Sequence, residues 1–309
     1  MSNMQLLLAV SELVCKMVDI ESLSVSGLTT PAVTRIATYS KLRHLELRAF
    51  KADNILMLSE SSFPELSELT LTTTEDATRL GEFIAIIRPK KLRKLSMALL
   101  RGSCPSEEWE VCFQPVARYC SGTLEILCIE QGGIGSRDIH NMEPEAFEPL
   151  FALRQLTELS VTCGCLGLDN DDLKQMALFW PRLQKLSIEP DLGSRSDPSD
   201  ITLDGLVPLL EHCPDLCALS LVLDASFVTM PHPPTRPGGG VSNHKIVAIT
   251  VGLSDIEDPV LVAAFLSDIL PNLREITWED PDQDATRKTR TVTTRTKGVV
   301  ALCGSKWGN

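Results

Sequence analysis

The side chains of this 309-residue chain that could do chemistry are charged ones, set close together in short apolar segments. They are Arg43, His44 and Arg48, then Arg93 and Lys94, then Glu125, Glu130 and Glu158. Alternating with leucines, such groups suit recognition by charge complementarity rather than bond making. Catalysis has little to work with. The five histidines (His44, His140, His212, His232, His244) are scattered, and neither a G-x-S-x-G elbow nor an H-E-x-x-H pair occurs. The ten cysteines contain no C-x-x-C pair, and Cys163-Gly164-Cys165 is too close for an ordinary bridge. They read as free, largely buried thiols, which places the chain in a reducing compartment, cytoplasm or nucleus. No enzyme, no cofactor and no metal site is expected.

What positions the charged residues is a recurring phrase, L-x-x-L-x-L or a close variant. It begins at Leu42, Leu66, Leu92, Leu124, Leu156, Leu183, Leu216, Ile246 and Leu273, with a partial earlier copy at Ile20, Leu23 and Val25. Positions four and six alternate as in a half-buried strand. Segments with apolar residues three and four apart fill the intervals. Asp76 is placed to cap a run burying Leu80, Phe83, Ile84 and Ile87. Ser106 precedes Trp109, Phe113, Val116 and Cys120, and Asn170 precedes Leu173, Met176, Ala177 and Trp180. Thr30-Pro31 and Asp258-Pro259 each supply a cap and a first-turn proline, and Pro271 stops the last helix. Intervals of 22 to 33 residues between phrases mark a solenoid, in which each unit buries its apolar face on its neighbours. The expected fold is α/β, a horseshoe with parallel strands on the concave face and helices on the convex one.

Residues 1–280 are expected to form one repeat domain of about ten irregular units, opened by a packed helix rather than a signal peptide. Residues 281–309 are expected to be a basic, disordered tail. Six Lys or Arg and no acid lie in residues 286–309, so the rest carries 23 basic against 41 acidic groups. Such a body is not a nucleic-acid binder. Two stretches break the rhythm: residues 189–200, and a Pro/Gly-rich loop at 224–244. The P-x-x-P spacings at Pro231, Pro234 and Pro237 are ordinary for such a loop, and Gly238-Gly239-Gly240 lacks the G-K-[ST] of a phosphate loop. No apolar stretch is long enough to span a membrane.

Position five of each phrase must point away from the buried face. It is Ser24, Glu46, Thr70, Ser96, Cys128, Ser160, Ser187, Ser220, Thr250 and Thr277, mostly small or β-branched residues that suit a crowded parallel sheet. Specificity falls to the flanking positions, expected to grade from basic (Arg43, His44, Arg48, Arg93, Lys94) through acidic (Glu125, Glu130, Glu158) to apolar (Cys217, Ala218, Val222, Val247, Ala248). A protein partner on the concave face of a monomer follows.

Several runs carry a further likeness. They are Trp180-Pro181-Arg182-Leu183-Gln184-Lys185-Leu186-Ser187-Ile188, the Leu206 to Leu221 unit with His212-Cys213-Pro214, Gly239-Gly240-Val241-Ser242-Asn243-His244, and the stretch from Ala263 to Leu273. Through roughly residues 20–280 the chain resembles the leucine-rich-repeat regions of fungal F-box proteins. That resemblance implies a substrate receptor of a cullin-type ubiquitin ligase, whose repeats hold the target while an F-box docks the adaptor subunit. An F-box opens with Leu-Pro and fills three helices, whereas here no proline precedes Pro31. Adaptor binding is therefore expected only if an F-box lies upstream. The usual Asn or Cys three residues after position six is also absent, which predicts irregular turns. A stand-alone scaffold without a link to ubiquitin, or a GTPase-regulating repeat protein, are the alternatives.

Overall fold

A computed structural model describes residues 3–51, 57–100, 104–132, 142–164, 166–190, 199–226, 236, 238–279 and 289–293. They form two compact units, the first made mainly of residues up to Leu156 and the second of most residues from Thr157 on. In both units strand and helix alternate, and the architecture is an α/β solenoid of leucine-rich-repeat type.

The first unit opens with α1 (Asn3–Lys16), followed by β1 (Ser22–Val25), α2 (Thr30–Ile36), β2 (His44–Leu47) and β3 (Glu68–Thr73). Next come α3 (Thr78–Ile87), β4 (Lys94–Leu99), α4 (Ser106–Cys120), β5 (Ile126–Gln131) and a 3-10 helix, Pro144–Ala152. Strands β1 to β5 pair in parallel in chain order, and every pairing aligns the same phrase position: Leu23 with Leu45, Leu45 with Leu69, Leu69 with Leu95, and Leu95 with Leu127. A one-residue slip would turn these leucines to solvent, so the buried face fixes the register. Beneath it Leu80, Phe83, Ile84, Trp109, Phe113 and Phe147 are wholly or almost wholly buried. Phe83 meets Phe50 edge-on, ring centres 5.3 Å apart, and Phe113 stacks obliquely between Trp109 and Phe147.

The second unit comprises most of β6 (Glu158–Cys163), then α5 (Asn170–Phe179), β7 (Lys185–Pro190), α6 (Leu206–His212), β8 (Ala218–Leu221) and β9 (Asp224–Ala225). Then follow β10 (Ala248–Thr250), β11 (Asp255–Ile256), α7 (Pro259–Ile269), β12 (Glu275–Glu279) and β13 (Thr289–Thr293). Here too the registers align Leu186 with Leu219, Leu219 with Ile249 and Ile249 with Ile276. Leu159, expected in the core, is 1% exposed.

Several local expectations need correction. Within the stretch read as a disordered tail, β13 pairs antiparallel with β12, Thr291 opposite Thr277. The run Thr-Arg-Thr-Val-Thr is rich in β-branched residues, and β12 offers it an edge to pair with. The loop expected from Asp224 begins with β9, which pairs in parallel with β11, and the polar stretch expected from Glu189 loses Glu189 and Pro190 to β7. The prolines at 231, 233, 234 and 237 lie outside the described residues, whereas Gly239 and Gly240 adopt positive φ in a turn that side-chain-bearing residues resist. Helix α5 is capped by Asp169, in a reciprocal box with Asp172. Asn170 instead donates through Nδ2 to the Thr202 hydroxyl and accepts the Thr202 backbone amide at Oδ1, both at 2.9 Å. Ser106 is the first residue of α4, and its hydroxyl accepts the Glu143 amide at 2.9 Å. Asp76 does accept the Arg79 amide at 3.3 Å, and Asp258 caps α7 through the amides of Val260 and Leu261.

Of the described cysteines, Cys104, Cys112, Cys120, Cys163 and Cys213 are buried in the core, whereas Cys15 and Cys128 are half-buried and Cys217 is exposed. All eight described ones are free thiols. Burial pushes the thiols of Cys120 and Cys213 up to about 12 and raises that of Cys112 as well. Among the described residues no helix is long and apolar enough to cross a membrane.

Candidate functional site

Because the registers align, each outward phrase position becomes a column running across the strands. In the first unit one face of the sheet is buried against helices, and the other carries polar side chains. Just before the strands begin, the backbone amides of Arg43, Ser67, Arg93 and Glu125 each bond the carbonyl of the residue one strand earlier, all at 2.8 Å. This stacks Arg43, Ser67, Arg93 and Glu125 into one column. The next column reads His44, Glu68, Lys94, Ile126; the third reads Ser24, Glu46, Thr70, Ser96, Cys128; a later one places Glu130 beside Ala98. Arg43, His44, Arg48, Arg93, Lys94, Glu125 and Glu130 therefore all lie on or beside this face, exposed or half-buried.

The expected gradation from basic to acidic is not what the columns present. Glu68 lies beside His44, with His44 Nε2 3.2 Å from Glu68 Oε1. Arg48 Nε donates to Glu46 Oε1 at 2.8 Å, and the Ser24 hydroxyl donates to the other oxygen at 2.5 Å. Arg93 lies 3.6 Å from Glu125, and Lys91 reaches both oxygens of Glu65 at 2.7 Å. In the second unit Lys185 Nζ donates to Glu158 Oε1 at 2.8 Å, and Ser187 and Ser220 both donate to Glu189. His44 and Arg93 find their acids one repeat further along the chain, too far to read within one phrase, whereas Arg48 pairs with Glu46 of its own phrase. The face is thus a mosaic of small ion pairs.

These pairs shape the electrostatics. The Glu46 carboxyl is held below its ordinary range, chiefly by the hydrogen bond from Arg48 and next by that from Ser24. Lys185 is raised by the hydrogen bond and charge of Glu158. Both lie at the surface, where such pairs contribute little to folding. They hold long side chains in fixed positions without removing them from solvent, which suits re-pairing with a partner.

In the later repeats Cys217, Val247 and Ala248 are exposed and Ala218 and Val222 half-buried, as the sequence suggested. Glu65, Glu68 and Glu189 are the polar residues missed by reading single phrases. The signal that finds Glu68 is the column: phrase position three across β2 to β4 spells His, Glu, Lys.

This arrangement defines a repeat protein whose accessible sheet face displays fixed polar groups. No protein-family model matches the chain, and no curated protein matches its sequence. Among solved structures it is similar to a chain in the crystal structure of the Rad7 and Elc1 complex in yeast, at 14% identity and a TM-score of 0.35, over 87% of this chain and 81% of that one.

Proposed function

We propose that this chain is a non-catalytic protein-recognition module that binds its partner on the helix-free face of its parallel sheet. More specifically, it is the substrate-binding repeat region of an F-box-type ubiquitin-ligase receptor. The observation that carries the first part is the set of aligned outward columns. Arg43, His44, Arg48, Arg93, Lys94, Glu125 and Glu130 share one accessible surface of the first unit, and of these His44, Arg48, Arg93 and Glu125 are held by surface pairs that a partner can exchange for its own. Glu158, paired with Lys185, offers the same chemistry in the second unit. Perturbed titrations support binding over catalysis, since they belong to buried core thiols and to surface ion pairs rather than to groups converging in a cleft. The resemblance of the Trp180 to Ile188 and Ala263 to Leu273 runs to fungal F-box proteins supports the second part. The adaptor would be engaged only by an F-box joined to this region.

The test captures a partner from cells and measures its affinity for the purified chain. Charge reversal at Arg48 or Glu130 should weaken binding about tenfold or more without moving the melting temperature, while Lys174 or Gln175 substitutions on α5 should not. The partner should also be ubiquitinated and should accumulate when cullin ligases are inactivated. A partner whose lifetime ignores the ligase would refute the ubiquitin reading. One indifferent to the reversals would refute the recognition face.

A further inference from the structure

At the mouth of the first unit, where the chain enters β2 to β5, the columns leave a notch. It is a shallow depression of about 520 Å³ lined in part by Arg43, Ser67, Lys90, Lys91, Arg93 and Thr123. Its construction follows from the backbone ladder. Arg43 and Arg93 flank Ser67, so the two guanidinium-bearing positions stand two strand spacings apart, roughly 10 Å, with only a hydroxymethyl group between them. The Ser67 hydroxyl turns aside to donate to the Arg43 carbonyl at 3.1 Å, which keeps the floor of the gap low. Lys90 and Lys91 stand on the rim. Two acids also line it, but each is committed: Glu65 to Lys91 and Glu125 to Arg93. Arg43 and Lys90 form no ion pair among the described residues. The basic groups Arg43, Lys90, Lys91 and Arg93 outnumber the acids Glu65 and Glu125, a local excess of positive charge that attracts an anion to this spot on a chain of net charge -12.

We infer that this notch docks an acidic segment of a protein partner, seating one anionic side chain, carboxylate or phosphate, over Ser67 between Arg43 and Arg93. A guanidinium presents paired donors that suit either anion. The strand spacing leaves one group's width between the two arginines, and Lys90 supplies the uncommitted charge at the rim. The inference rests on reading the chain as a recognition module but assigns the anchoring contact to the strand entrances rather than to the middle of the sheet face.

The experiment is fluorescence anisotropy of the full chain with three labelled peptides of one length: glutamate-rich, phosphoserine-containing, and neutral. The anionic peptides should bind at low salt and weaken as salt rises, with the neutral one at least about tenfold weaker. Whether the glutamate or the phosphoserine peptide binds tighter identifies the anion. Arg43→Glu should cost about tenfold or more, and Ser67→Glu, which fills the gap with a carboxylate, should cost as much, with unchanged melting temperatures. Lys174→Glu makes the same change in net charge as Arg43→Glu, but on a helix, and should leave affinity alone. Equal loss in Lys174→Glu, equal binding of the neutral peptide, or no binding of either anionic peptide would overturn the notch. If those results came together with a captured partner that still needs Arg48 and Glu130, the notch alone would be rejected and the recognition face would stand.

Discussion

Glu46 shows how one side chain reports on the organisation of this surface. It sits at the outward position between two buried leucines and receives hydrogen bonds from Arg48 on its own strand side and Ser24 on the strand before. Both stabilise the carboxylate, so its titration should fall below the ordinary glutamate value of about 4.3. The sign follows from linkage: what the pair contributes is fully present above about pH 4.3 and is lost as pH falls through the lowered value of the folded chain. A carboxyl-detected NMR titration should find Glu46 below that reference, and Arg48→Ala should move it back upward. A Glu46 that titrates ordinarily and ignores Arg48→Ala would mean that this pair is not held in solution. Lys174 and Gln175, exposed on the α5 helix, belong to no such network among the described residues and serve as neutral controls.

Among elements, α3 and α4 come into tight backbone contact in the first unit. Gly81 permits it: a Cβ built there would stand 2.7 Å from Cys112 Cα and 2.8 Å from the Cys112 carbonyl oxygen, both backbone atoms. Gly81→Ala should therefore destabilise the chain by about 1–3 kcal/mol through overpacking. Helix propensity alone predicts the opposite, a gain of about 1 kcal/mol. Chemical denaturation decides between them, and a stabilised variant would mean that α3 and α4 pack less tightly than described. This contact is also where sequence reading stops. The apolar spacing of Leu80, Phe83, Ile84 and Ile87 announces a helix, but nothing in a period of three and four says which small residue faces a neighbouring backbone. Strand positions were legible because a six-residue phrase with period two fixes both face and register. Loop devices were not. Asn243, for example, bonds the Leu216 carbonyl and accepts the amides of Lys245 and Ile246, joining two repeats from a position where no repeating asparagine pattern leads the eye. Strand β13 was hidden for a related reason, since a short basic Thr/Arg run becomes a strand only when an open edge such as β12 is there to pair with.

For the molecule as a whole, the proposed recognition uses the accessible sheet face, and the helices serve to hold it. In the first unit the outward strand positions of His44, Lys94 and Glu130 were legible because alternation dictates which strand side chains point away from the buried face. Their pairing was not, because it joins residues whole repeats apart, as His44 joins Glu68. Hydroxyl-radical footprinting of the free and the partner-bound chain tests the claim most directly, since it reads side chains on both sides of the sheet in one experiment. His44 and Cys128 lie in the outward columns, while Val111 on α4 and Leu178 on α5 are exposed apolar residues of the helical layer, 51% and 48% accessible. A bound partner should slow modification of His44 and Cys128 several-fold and leave that of Val111 and Leu178 unchanged. Protection of Val111 or Leu178, with His44 and Cys128 modified as fast as in the free chain, would contradict the claim.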